Sequence, residues 1–346
     1  MRKMKIISML LPLALLTLSC EKPEPAEVDS IGQVCISIDL GTDTKAGNYT
    51  TEWSNEKAVH SVGYYIFDSQ GRLEDVWNVS SGSSVSGKVR SGTKTIWAVV
   101  NIPSSRFSDV RTLSQFEAKE VSFADMSPNS FPMSGKKSVY VGTGNVTTSI
   151  PVERFVARLC VAEITNGLSG SRANADVFLR SVFLSNVAGN CRITGASPAT
   201  FQWYNKCARR SGGGSGALIL DEDDSDLQPY LFFDFGYEYM APEDTSSPYC
   251  GLYMFPNPTT SDRTGWASTF TPRYTRVVVA VEIDGEVYYY PVSITGMERN
   301  HAYTLYLTIT HLGSRDPDTF DFVTEQDVVI TIGGFDDFDD DFVITY

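Results

Sequence analysis

The sequence predicts an all-β protein built from β-sandwiches and preceded by an export segment. Three observations carry that reading. Aromatic residues are abundant, with 17 Tyr and 19 Phe, and glycine is frequent at 27. Stretches of helical period are scarce, whereas short runs of alternating apolar and polar residues recur along the chain. Gly, Pro, Asn and Asp turns separate those runs at short spacing, as in sandwiches. At 346 residues the chain is long enough for two ordinary domains.

The elements follow in order. Arg2, Lys3 and Lys5 precede Ile6 to Leu18, an almost wholly apolar run containing Pro12. That run is too short to span a bilayer but suits the core of a signal peptide. Leu16-Thr17-Leu18-Ser19-Cys20 resembles a lipobox, in which the cysteine takes a diacylglyceryl group and becomes the first mature residue. The alternative is an ordinary signal peptide that happens to contain a cysteine. A signal peptide is therefore expected over residues 1–19, and a lipidated Glu/Pro tether over 20–30 keeps the folded part clear of the membrane. Each buried acyl methylene contributes roughly 0.8 kcal/mol, so two or more chains anchor stably.

Val34, Ile36, Ile38 and Leu40 alternate with polar residues and predict a half-buried strand. After a polar stretch, AVHSVGYYIFD and RLEDVWNVS read as strands joined by an SQG turn. TIWAVVNIP ends at Pro103, TLSQFEAKE suits a short helix, and KSVYVG and NVTTSIPVE are further strands. VERFVARLCVAEI reads as one long strand, with Phe155, Ala157, Leu159 and Val161 on one face. A boundary placed just before it gives an N-terminal sandwich over 31–150 and a C-terminal one over 151–346. In the second, DVFLRSVFLSNV, YLFFDFGYEY, GLYMFPN and RYTRVVVAVEI are strands, and Asp284-Gly285 makes a two-residue hairpin turn into EVYYYPVSI. AYTLYLTIT, DVVITI and DFVITY complete the chain.

The chemistry this composition allows is narrow. A formal net charge of −14 argues against a nucleic-acid partner. His60, His301 and His311 form no metal pattern and read as strand-end residues. No nucleophile elbow or phosphate loop is present, so no enzyme activity and no cofactor is expected, apart from the covalent lipid on Cys20. Asp221 to Asp226 could offer oxygen ligands to calcium but reads first as a solvated loop. Tyr288, Tyr289 and Tyr290 could stack on sugars, yet consecutive strand aromatics more often divide between two faces. Cys35 and Cys160 sit inside alternating runs as small buried hydrophobes, and Cys191 and Cys207 flank a loop that a disulfide could close.

These pieces together resemble the fimbrillins, the lipoprotein-derived type V pilins of anaerobic gut and oral bacteria. The likeness is carried by the lipobox Cys20, LGTDTKA, VGYYIFDSQGRL, TIWAVVNIP, FPMSGK, VERFVARL, YMFPN, TRVVVAVEIDGEVYYYPV, RNHAYTLYLTIT and the terminal VVITI and DFVITY. It implies two transthyretin-like β-sandwiches in tandem and assembly by strand exchange. After export a protease would remove the first strand, and the C-terminal strand of another subunit would fill the groove. Cys20 would carry the precursor to the outer membrane, and surface-exposed fimbriae would be its destination. Lys45 is the basic residue between the first strand and the next hydrophobic run, so processing between Lys45 and Ala46 is expected. The family's processing enzyme often cuts after Arg; an uncut chain would be an anchor subunit. Val328, Ile330 and Ile332 share one face of a strand, and Phe342, Ile344 and Tyr346 repeat the pattern, so either segment could be the donor. Partners are then other fimbrial subunits, the outer membrane and a host or bacterial surface ligand. The alternatives are an anchor or tip subunit, or a surface glycan-binding lipoprotein.

Overall fold

The computed structural model describes residues 33–40, 56, 58–80, 82–127, 130–208, 217–219, 231–248, 250–260, 270–317, 328–334 and 343–344. Nearly all the regular structure is strand, as the sequence predicts. The first half carries β1 (Gln33–Leu40), β2 (Val62–Phe67), β3 (Leu73–Val79), β4 (Val85–Arg90) and β5 (Gly92–Val100). It continues through the helix α1 (Leu113–Glu117), β6 (Glu120–Ser122), β7 (Met133–Val141), β8 (Val146–Ile150) and β9 (Glu153–Arg154). A five-stranded sheet in the order β3-β2-β5-β7-β9 faces a three-stranded sheet in the order β4-β1-β8.

β2 is buried on both of its faces, which explains the nearly continuous apolar run Val62-Gly63-Tyr64-Tyr65-Ile66-Phe67. Tyr64, Ile66, Ile96 and Val100 point into the core shared with the three-stranded sheet, alongside Val89 and Ile150. Tyr65, Phe67 and Trp97 occupy the opposite face beneath Phe107 and Phe116. Phe116 sits there because α1 is locally defined. The Thr112 side chain accepts from the Gln115 amide, while the Gln115 side chain accepts from the Thr112 amide. The turn between β2 and β3 closes on Asp68, whose carboxylate accepts from the amides of Gln70 and Arg72 and from the Arg72 guanidinium at 2.7 Å. Gly71 supplies the positive φ of +72° that this turn requires.

The second half begins with β10 (Ala157–Asn166), β11 (Val177–Ser185), β12 (Val187–Ala188), β13 (Asn190–Arg192) and β14 (Trp203–Tyr204). Next come β15 (Lys206–Ala208), β16 (Ala217–Ile219), β17 (Phe232–Tyr239), β18 (Thr245–Ser246) and β19 (Cys250–Met254). The last are β20 (Thr275–Ile283), β21 (Glu286–Ile294), β22 (His301–Ile309), β23 (Val328–Gly334) and β24 (Val343–Ile344). One sheet runs β17-β11-β20-β21; the other runs β18-β10-β22-β23-β24, with β19 also on β10. Leu179, Val182, Val279 and Val281 meet Leu159, Leu305 and Leu307 between them. Asp284 and Gly285, both at positive φ, turn β20 into β21 as expected of Asp-Gly.

VERFVARLCVAEI is not one strand. Glu153–Arg154 pair with β7 in the first sheet, and the chain then crosses to enter the second sheet at Ala157. The two pieces keep the same alternation, so the crossing leaves no mark in the pattern. A second link between the halves is the antiparallel pair β6–β13.

Candidate functional site

β1 is the central strand of the three-stranded sheet. It runs antiparallel to β4 over six registered positions and parallel to β8 over five. Ile36 lies opposite Gly87 and Val146, Ile38 opposite Val85 and Thr148, and Leu40 opposite Ile150. The Ser37 hydroxyl is 2.7 Å from that of Ser86. Because both edges of β1 are paired, its departure would leave two facing ladders of unpaired backbone groups. The slot has a defined wall at Gly87. A Cβ there would come within 2.4 Å of the Trp77 ring, whose Nε1 donates to Asp75 at 2.8 Å.

The tail lies on the other half of the molecule. β23 is antiparallel to β22 over seven registered positions, with Val328, Ile330 and Ile332 opposite Leu307, Leu305 and Tyr303. Among the described residues β24 pairs with β23 at two positions, Ile330 with Ile344 and Thr331 with Val343. Cys20, Lys45, Ala46, Phe342 and Tyr346 lie outside the described residues, as do the acidic runs Asp221–Asp226 and Phe335–Phe342.

Other candidates resolve plainly. Tyr290 is buried, while Tyr288 packs beside the core with the Arg315 guanidinium 4.1 Å above its ring. Cys191 on β13 and Cys207 on β15 are buried free thiols rather than a disulfide. Burial pushes the Cys191 and Cys250 thiols up to about 12 and the half-buried Cys160 up to about 11. Among the described residues no group of three or more His, Cys, Asp or Glu could hold a metal ion.

Two features escaped the sequence. The first is a buried polar cluster around Glu56. Its Oε2 is 2.7 Å from Arg158 Nη1, its Oε1 accepts from the Tyr253 hydroxyl, and its backbone carbonyl accepts from Arg154 Nε at 3.0 Å. Burial first, and then the adjacent carboxylate, hold the Tyr253 hydroxyl well above its ordinary pKa. Glu-Lys inside a polar stretch gives no hint of this. The second is an aromatic patch on the sheet-edge strand β17. Tyr237 is 64% exposed and Tyr239 53%, both beside Phe178, with the Arg180 guanidinium 3.7 Å above the Tyr237 ring.

No family model and no curated protein matches the chain. Solved structures do match in fold. A candidate cell adhesion protein from Parabacteroides distasonis superposes with a TM-score of 0.61 at 13% identity, covering 88% of this chain and 97% of that one. Another from Bacteroides eggerthii gives 0.61 at 14% identity, covering 87% and 94%. A fimbrilin from Porphyromonas gingivalis gives 0.55 at 15% identity, covering 82% and 92%. The fold is therefore the one shared with these structures over nearly their whole length, consistent with the fimbrillin resemblance of the sequence.

Proposed function

We propose that this chain is a structural subunit of a cell-surface fimbrium that supports adhesion. It is exported as a lipoprotein precursor acylated at Cys20 and polymerises once β1 has been removed, by accepting the tail of a neighbouring subunit. The observation that carries this reading is that the tail repeats the strand that fills the slot. Val34-Cys35-Ile36-Ser37-Ile38 in β1 is matched by Val328-Val329-Ile330-Thr331-Ile332, and again by Phe342-Val343-Ile344-Thr345-Tyr346. All three have isoleucine at the centre, a hydroxyl residue next and apolar residues at both ends. The shared fold with a fimbrilin supports the same reading.

The physics of exchange follows from the slot. An incoming strand takes up the backbone bonds of β4 and β8, and alternate side chains set its register. In the β1 register, Ile344 would stand opposite Gly87 and Val146, and Thr345 opposite Ser86. Burying three large apolar side chains contributes roughly 5–9 kcal/mol before ordering costs. While β1 occupies the slot the precursor cannot accept a donor, which delays polymerisation until processing. Both tail segments carry the donor pattern, and the terminal one, Phe342 to Tyr346, is the first to test.

The test is Ile344→Asp, which places a charge where the slot is apolar, together with deletion of residues 342–346. Polymer ladders on a mild-denaturation gel should disappear from both, while the monomer keeps its melting temperature. Normal ladders from both would overturn the assignment. Glycan binding is a second reading, favoured by the exposed Tyr237 and Tyr239. Loss of glycan-array binding by a monomeric Tyr237→Ala variant would support it.

A further inference from the structure

β4, one wall of the β1 slot, alternates between core and solvent. Lys88 and Arg90 are exposed, and Val89 between them is buried in the core beneath the slot. Across the slot, Arg90 lies opposite Gln33 of β1 and Lys88 opposite Cys35. The Arg90 backbone is fixed, because its amide donates to Glu74 Oε1 at 2.7 Å. The two cationic side chains are not fixed. Elsewhere in the first half cations have carboxylate partners, as Arg72 has Asp68, Lys119 has Asp109 and Lys136 has Glu117. Among the described residues, Lys88 and Arg90 have no such partner. The carboxylates of the adjoining β3 are engaged elsewhere, Glu74 with the buried Lys94 and Asp75 with the Val76 amide and Trp77 Nε1.

The tail carries the complementary charge at the matching position. In β1 the residue before Val34 is the neutral Gln33; in the tail repeats Asp327 precedes Val328 and Asp341 precedes Phe342. A tail strand in the β1 register therefore sets a carboxylate opposite Arg90, where the resident strand has an amide, and diagonal to Lys88. Opposite residues of an antiparallel pair have Cβ atoms about 4.5–5.5 Å apart, and diagonal ones at about 7–8 Å remain within reach of long side chains. The terminal repeat adds Asp336, Asp337, Asp339 and Asp340 just ahead of Asp341.

We infer that Lys88 and Arg90 form a docking contact for the acidic residue that precedes the donor strand of a second copy of this chain, Asp341 in the terminal repeat. Subunits with a formal net charge of −14 repel one another. Two unpaired cations at the mouth of the slot oppose that repulsion locally and draw in the acidic end of the tail. Such exposed charges act on the rate of encounter more than on final affinity. They also guard the register, because a slip of one residue would turn Asp341 to the core face opposite Val89. This inference rests on the reading that the tail enters the β1 slot.

Stopped-flow anisotropy tests the contact, with a fluorescent peptide of residues 335–346 added to subunits from which β1 has been removed by processing. Association and dissociation rates are read separately. On the native slot, association should slow by about tenfold or more between about 0.02 and 0.3 M salt. Lys88→Glu combined with Arg90→Glu should abolish or invert that salt dependence. It should slow association at low salt by about tenfold or more, while dissociation changes by less than about threefold. Both cations are exposed, so the variant should keep the native Tm. A peptide carrying Asp341→Arg should recover fast association on the Arg90→Glu slot. Equal rates on the native and reversed slots, or no recovery with Asp341→Arg, would overturn the contact. If a peptide carrying Ile344→Asp still fails to bind in that case, insertion of the tail stands and the contact alone falls. Unimpaired binding of the Ile344→Asp peptide would remove insertion of the terminal strand, and this contact with it.

Discussion

Gly87→Ala probes the wall of the β1 slot. Gly87 lies opposite Ile36, and an added Cβ would approach three atoms of the Trp77 ring at 2.4, 2.8 and 2.8 Å. Ordinary contact begins near 3.4 Å, so the ring must retreat by about 1 Å, and overpacking of this kind costs about 1–3 kcal/mol. The ring is not free to swing, because Trp77 Nε1 is held by Asp75. For a chain of this size the cost should lower Tm by about 2–12 °C. The sign should reverse when the obstacle is removed. In a Trp77→Leu background Gly87→Ala should be neutral or stabilising by about 0.4–1 kcal/mol, through loss of unfolded-state entropy. A double-mutant cycle by urea denaturation should therefore give a coupling above about 1 kcal/mol. Additive effects, or a Gly87→Ala variant as stable as the native chain, would refute the packing of Trp77 over β4.

Phe116→Ala should cost about 3–5 kcal/mol, because the ring is buried against Tyr65, Phe107, Phe67 and Trp97 at centroid distances of 4.8–5.6 Å; chemical denaturation would measure it. Burial alone would raise the Asp68 pKa, but hydrogen bonds from Arg72 and Gln70 and the Arg72 charge outweigh it and hold the carboxyl below its ordinary value. Its stabilisation is then fully present above the unfolded pKa of about 3.9 and lost as pH falls through the folded value. The Tm advantage over Asp68→Asn should accordingly be constant near neutrality and shrink below about pH 4. Cys160, Cys191 and Cys250 should resist a thiol reagent at about pH 8 in the native chain and react on denaturation, since their thiols stay protonated there.

Local chemistry was readable where a few neighbouring residues decide the outcome. Asp284-Gly285 could only turn tightly, and Thr112 with Gln115 caps a helix on its own. Alternation placed β1 for the same reason. Long-range pairings leave no local trace. The parallel partnership of β10 with β22 joins segments far apart in the chain, and the crossing after Arg154 keeps its period. Glu56 looked like one more charge in a polar stretch; only the arrival of Arg158 and Tyr253 makes it a buried anchor. Phe232-Phe233-Asp234-Phe235 reads as a strand without revealing that it forms a sheet edge, where Tyr237 and Tyr239 remain exposed.

Strand exchange is tested most directly by trapping it. Ser86 lies opposite Ser37 in β1, and Thr345 occupies the Ser37 position of the terminal repeat. Opposite residues on neighbouring antiparallel strands have Cβ atoms about 4.5–5.5 Å apart, close enough for a disulfide to form with small adjustment. Subunits carrying Ser86→Cys should be mixed with subunits carrying Thr345→Cys, processed, assembled, oxidised and mapped by mass spectrometry. A disulfide between positions 86 and 345 of different chains, present in polymers and absent from unprocessed precursor, is the expected result. Polymers that assemble normally yet carry no such bond would contradict insertion of the terminal segment in the β1 register.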